Sequence, residues 1–208
     1  MIFGLDTIFL CYGLIIAADG TSFAFHETAG GKSWKSSSEE AHVRAKDALK
    51  KAKAPGRRSA TLAVLDFTLP SYLPRLQLYR RGRPSSARLL CSHGRGSGEC
   101  VPHSFSNTHR SNQTSLGLYR VGSIYTGKYG KSLRLHGLEK GKNDQAYSRS
   151  IVLHAAWYAD REVIVQNILE GYGPRLGRSR GCPAISPSDL ETVLASLPPG
   201  SYLYIHGK

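Results

Sequence analysis

The chain has 208 residues, with 28 Lys and Arg against 15 Asp and Glu, a formal net charge of +13. That length suits one domain, or one domain with a loosely ordered start, and it can bury a real core without staples. The positive charge favours an anionic polymer such as nucleic acid, anionic lipid or cell wall, or else reflects a solvated basic surface. The basic residues are spread along the chain with no nucleic-acid motif and no basic stripe with interleaved aromatics, so nucleic acid is not expected as a partner.

The first element is an apolar run from Thr7 to Ala18. Its length suits the core of a signal peptide and is too short to span a bilayer. No Lys or Arg precedes it and Asp6 sits in its flank, so it is an atypical signal. A start codon placed too far downstream, or a buried hydrophobic strand, are the other readings. Cys11 follows Leu10 where a lipoprotein box wants a small residue, so no lipid anchor is expected.

Residues 19–38 are rich in Gly, Ser, Thr and Lys and read as a disordered lead-in. Residues 39–53 have helical period, with Ala41, Ala45, Ala48, Leu49 and Ala52 on one face and Pro55-Gly56 as the stop. This helix reads as a solvated spacer or as a lid. The chain thus divides into a signal-like segment (1–20), a linker with one charged helix (21–59) and a main domain (60–208).

Within that domain, Thr61–Phe67, Arg75–Arg80 and Ala87–Ser92 are short, apolar and β-prone, with Arg81-Gly82-Arg83-Pro84 separating the second and third. Leu116–Val121, Ser132–Leu138, Ile151–Ala155 and Ser201–His206 add further strands. Two helices are predicted, over Glu162–Glu170 and over Pro187–Leu197, the second capped by Ser186 with Pro187 at its first position. The pattern predicts a mainly-β fold with a few short helices.

The chemistry concentrates in Ser179-Arg180-Gly181-Cys182-Pro183-Ala184. A cysteine in a tight turn, with a histidine available at the end of the run Ile151-Val152-Leu153-His154, supplies a thiol nucleophile and a base. The opposing reading is a buried structural cysteine, a common fate of the residue. Backbone N–H groups of Arg180, Gly181 and Cys182 could face an oxyanion. Ser179 could bond within the turn. If Cys11 leaves with a signal peptide, Cys91 and Cys100 could close a disulfide across a glycine-rich loop and leave Cys182 unpaired. Cys91, His93, Cys100 and His103 also form a zinc-like set, but the spacing departs from the commoner zinc patterns. Free thiols are the third option.

From Leu62 to His206 the chain resembles the catalytic domain of the murein L,D-transpeptidase family. The matching pieces, in order, are Leu65-Asp66-Phe67-Thr68-Leu69-Pro70, His93-Gly94-Arg95-Gly96-Ser97-Gly98, Ser104-Phe105-Ser106-Asn107-Thr108, Ser115-Leu116-Gly117-Leu118-Tyr119, Leu133 through Gly141, His154, and Gly177 through Ala184. Two positions depart from the wider family: Ala155 follows His154 where glycine is usual, and Arg180 stands where histidine is commoner.

The resemblance implies a β-sandwich or barrel catalytic domain with Cys182 as nucleophile and His154 as base, and no metal or organic cofactor. It implies peptidoglycan stem peptides as partners, D-alanine as the leaving group, and an amine or water as acceptor. A wall-binding module without turnover is the non-enzymatic alternative. Ser106, Asn107 and Ser115 could bond a peptide stem. Arg134 and His136 share one strand face that could line the cleft. An exported protein of the periplasm or cell envelope, open to acylation by carbapenems, follows from the same resemblance.

Overall fold

The computed structural model describes residues 34–55 and 61–208, with three short strands before them: β1 (Phe9–Cys11), β2 (Leu14–Ile16) and β3 (Phe23–Phe25). These three pair as one antiparallel sheet in the order β1-β2-β3. The remainder of the signal-like segment and of the lead-in lies outside the described residues.

Helix α1 (Trp34–Lys51) begins earlier than the apolar period alone predicts. Ala41, Ala45 and Leu49 are buried, and they pack on Leu62, Val64, Tyr79, Leu118, Tyr202 and Tyr204. Ala41 and Ala45 each have 0% exposure, so their small side chains set how closely the helix lies on the sheet. Of the two readings of this helix, the geometry is that of a lid. No helix among the described residues is long and apolar enough to cross a membrane.

The main sheet holds β4 (Leu62–Asp66), β5 (Leu76–Arg80), β6 (Arg83–Leu89), β7 (Gly117–Gly127), β8 (Gly130–Gly137), β9 (Val152–Ala155), β10 (Ala184–Ile185) and β11 (Tyr202–His206). The order is β10-β9-β8-β7-β11-β4-β5-β6. It is a mixed sheet: β10/β9 and β11/β4 pair parallel and the other neighbours antiparallel. After β6 the chain crosses to the far edge, where Ser92 bridges Ala184 through N–H to carbonyl bonds of 2.7 and 3.4 Å. That bridge ties the segment after β6 to β10 and covers part of that otherwise open edge.

β4 and β11 are buried on both faces, which is why they read as continuous apolar runs. Leu62, Val64, Tyr202 and Tyr204 meet α1, whereas Ala63, Leu65, Leu203 and Ile205 face the main core. That core also takes Leu133, Leu135, Leu153 and Ile185, with Val193 and Leu194 of α3 (Leu190–Ser196). α2 (Arg161–Leu169) is capped by Asp160, and the 3-10 turn Pro187–Asp189 before α3 is capped by Ser186.

Two differences from the sequence reading have physical causes. Arg81 and Gly82 alone make the β5–β6 turn, at φ 50° and 76°, the pair of positive values that a two-residue hairpin needs. Pro84 therefore already lies in β6, an edge strand, where a missing N–H is tolerated. β7 runs on to Gly127 and β8 starts at Gly130, so Tyr125 to Tyr129 form a projecting hairpin tip rather than a loop.

Candidate active site

β9 and β10 position the two reactive side chains. Ala184 is the register partner of His154, which sets His154 on the same face as the chain leading back to Cys182. The His154 N–H reaches the Pro183 carbonyl at 3.4 Å. His154 Nδ1 lies 2.9 Å from the carbonyl of Ala155. Only an N–H can bond a carbonyl, so the proton sits on Nδ1 and the lone pair on Nε2. The ring is 1% exposed, and Tyr129 stacks on it at 4.4 Å from the tip of the β7–β8 hairpin. Burial holds its pKa below the usual histidine value, opposed by the Ala155 carbonyl. Burial therefore favours the neutral imidazole.

Cys182 sits in a turn that Ser179 shapes. Ser179 Oγ donates to the Cys182 carbonyl at 2.6 Å and accepts from the Gly181 N–H at 3.0 Å. That commits the Gly181 N–H and leaves those of Arg180 and Cys182 as the available donors in the turn. Gly181 has φ 123°, and a Cβ there would come within 2.9 Å of the Gln113 carbonyl, so only glycine fits. The Cys182 thiol is partly buried and bonds the Ser150 carbonyl at 3.7 Å. Burial raises its pKa above the usual thiol range, opposed by the Val152 N–H and the Arg149 guanidinium.

Arg149 went unnoticed in the sequence. Its guanidinium bonds the carbonyls of Ser106 (2.7 Å) and Gln113 (2.6 Å) and the hydroxyls of Ser115 and Ser111 (both 3.3 Å). It draws the 104–116 segment against the Cys182 turn. A second buried network lies behind that turn. Arg75, 1% exposed, donates to the carbonyls of Cys91 (2.8 Å) and Leu69 (2.9 Å) and to His93 Nδ1 (2.8 Å), and lies 4.5 Å over the Phe67 ring. Burial pushes its pKa down to about 10, so it stays charged at neutral pH. His93 donates from Nε2 to the Gly98 carbonyl at 3.1 Å, and burial together with Arg75 pushes its pKa down to about 3. The His93 carbonyl accepts the Ser179 N–H at 2.9 Å, which links this network to the reactive turn.

The sequence candidates separate into groups. Cys182, Gly181, Arg180 and Ser179 come together with Ser106 and Ser115 around Arg149. Ser115 is buried and also bonds the Tyr119 hydroxyl at 2.8 Å. Asn107 ties its loop to Asp144 at 2.7 Å. Arg134 and His136 lie on β8 in an aromatic ladder: Arg134 sits 4.2 Å from the Tyr125 ring and 5.5 Å from Tyr147, which stacks on His136 at 5.1 Å.

The Cys91–Cys100 disulfide is corrected. Both thiols are free: Cys91 is buried in the main core, and Cys100 points at the Pro174 carbonyl at 3.3 Å from a separate cluster with Tyr72 and Leu176. The zinc alternative fails as well, because both His93 nitrogens are taken. No metal-binding group of three or more His, Cys, Asp or Glu occurs among the described residues.

The family model for the L,D-transpeptidase catalytic domain matches residues 34–206. The chain belongs to that family. It is a cysteine-dependent, peptidoglycan-acting transpeptidase family. The match begins at the start of α1, so the lid is within it. No curated protein matches.

Among solved structures, the chain is similar to an L,D-transpeptidase from Mycobacterium smegmatis, at 12% identity and TM-score 0.41, covering 71% of this chain and 59% of that one. An L,D-transpeptidase from Xylanimonas cellulosilytica gives 14% identity and TM-score 0.43 over 77% of this chain and 68% of that one. L,D-transpeptidase 3 from Mycobacterium tuberculosis, solved with a faropenem-derived adduct, gives 16% and 0.39 over 71% and 60%. The chain spans about three fifths of the length of the first of these.

Proposed function

We propose that this L,D-transpeptidase-family chain acts on peptidoglycan tetrapeptide stems, with Cys182 as nucleophile and His154 as general base. The observation that supports it best is the β9–β10 register, which sets a neutral, rigidly held imidazole beside the cysteine turn. The thiol turns from the Ser150 carbonyl toward His154, since catalytic hydrogen bonds tighten only with substrate. Burial favours the uncharged form of both groups, so proton transfer accompanies attack rather than preceding it.

Sγ attacks the carbonyl between the third residue, a diamino acid, and the terminal D-alanine, while its proton passes to His154 Nε2. The N–H groups of Arg180 and Cys182 receive the oxyanion. The C–N bond breaks, His154 returns the proton to the departing amine, and a thioester remains. An acceptor amine gives its proton to His154 and attacks. The C–S bond breaks, and the thiol regains the proton. Such a substrate places the work in the cell envelope, which fits an exported chain.

Incubation with tetrapeptide muropeptides, read by mass spectrometry, tests this. D-Alanine release and a cross-linked product are expected, and Cys182→Ala should lower the rate by at least about 10³-fold with the fold retained. Tripeptide alone would make water the acceptor. Undiminished release by Cys182→Ala would overturn the mechanism. A carbapenem, whose strained lactam offers the same kind of carbonyl, should add its mass to Cys182.

A further inference from the structure

Beside Cys182 lies a cavity of about 240 Å³ lined by His109, Arg110, Asn112, Arg149, Ile151 and Arg180. Three of these residues are arginines and none is acidic. The contrast with the same stretch of chain is informative: Arg175 and Arg178, a few residues upstream of Arg180, both pair with Glu99. Among the described residues no acidic side chain pairs with Arg110, Arg149 or Arg180. Arg149 makes four hydrogen bonds, all to neutral carbonyls and hydroxyls, and remains an uncompensated half-buried cation.

The cavity is also next to the reacting atom. Arg149 and Ile151 flank Ser150, whose carbonyl accepts the Cys182 thiol. A Cβ on Gly181 would lie 3.5 Å from Arg149 Nη2. Three non-glycine residues at or beside the cavity hold positive φ: Arg110 (58°), Asn112 (56°) and Ser150 (56°). Such backbone is costly, and it persists where surrounding structure imposes it, often at ligand sites.

We propose that this cavity is a carboxylate subsite that takes the C-terminal carboxylate of the acyl donor. In a peptide attacked at its last amide, that carboxylate lies within about 4 Å of the attacked carbon, which the spacing of consecutive residues dictates. Arginines lining a pocket beside the thiol would favour bonds one residue from a chain end. The identity of the donor rests on the proposed function; the anion preference of the cavity does not.

The test uses two alkylating reagents of equal size. Iodoacetate carries the carboxylate beside the reacting carbon and iodoacetamide does not. At Cys182 the iodoacetate-to-iodoacetamide rate ratio should exceed that of glutathione by about tenfold or more. In Arg110→Gln, an exposed position outside the reactive turn, the ratio should fall toward the glutathione value while the iodoacetamide rate reports an intact site. Any change in thiol pKa cancels in the ratio. A wild-type ratio equal to that of glutathione, or one that Arg110→Gln leaves unchanged, overturns the subsite. With tetrapeptide stems, amidating the terminal carboxylate should cost the wild type about 10²-fold in kcat/KM and Arg110→Gln less. If the alkylation ratio behaves as expected and no stem peptide reacts, the subsite stands and the substrate assignment fails.

Discussion

At the residue scale, the two histidines of β8 and β9 compete for one role. His154 is buried and fixed by the Ala155 carbonyl, whereas His136 is partly exposed and stacked on Tyr147. His154→Gln should slow alkylation of Cys182 by iodoacetamide near neutral pH by at least about tenfold, and His136→Gln by less than about twofold. The reverse order would move the base to β8. Because burial raises the thiol pKa, the wild-type rate should keep climbing as pH passes the usual thiol range. Cys182 and His154 stand out in the sequence because each sits in a distinctive local string. Arg149 does not, since its partners at Ser106, Ser111, Gln113 and Ser115 lie 34 to 43 residues away and no local pattern reports them. The Cys91–Cys100 pair misled because counting cysteines says nothing about which one enters the core.

At the element scale, the Ser179–Ala184 turn is the part most sensitive to small changes. Ser179→Ala removes both hydroxyl bonds and leaves the Gly181 N–H unpaired in a buried turn, at a cost of about 2 kcal/mol in denaturant unfolding, together with slower acylation. Gly181→Ala should be worse on both counts, because the Gln113 carbonyl and the positive φ oppose the added methyl. An unfolding free energy equal to wild type in Ser179→Ala would show that the hydroxyl does not hold the turn. Ala45→Glu would bury a charge between α1 and the sheet and should cost several kcal/mol, detectable as a lower denaturation midpoint. Wild-type stability in that variant would detach the lid from the domain. The long apolar strands were legible because burial on both faces imposes apolar runs. The two-residue β10 was not, because Pro183 precedes it and its pairing with β9 is a tertiary fact. The far half of β7 carries no core pattern because none of its residues is buried.

At the scale of the whole molecule, the Ser92–Ala184 bridge ties the segment after β6 to edge strand β10 beside the reactive turn, and the Arg75–His93 pair underlies it. Below about pH 6.5 the unfolded chain takes a proton on His93 that the native chain refuses until about pH 3. The stabilising contribution is therefore complete above pH 6.5 and is lost as pH falls toward 3, at about 1.4 kcal/mol per pH unit. His154 and His206, shifted the same way by burial, add to it. Denaturant midpoints should fall steeply from pH 6.5 to 4. His93→Gln, which can still accept from Arg75 and donate to Gly98, should flatten part of that slope; an unchanged slope would remove His93 from the acid response. The central claim, that Cys182 carries the acyl group, has a direct test. Brief reaction with a tetrapeptide stem, acid quenching and peptide mapping should find the acyl mass, less D-alanine, on the peptide containing Cys182 as a hydroxylamine-labile thioester. Turnover without that adduct, or an adduct on Cys91 or Cys100 instead, would contradict it.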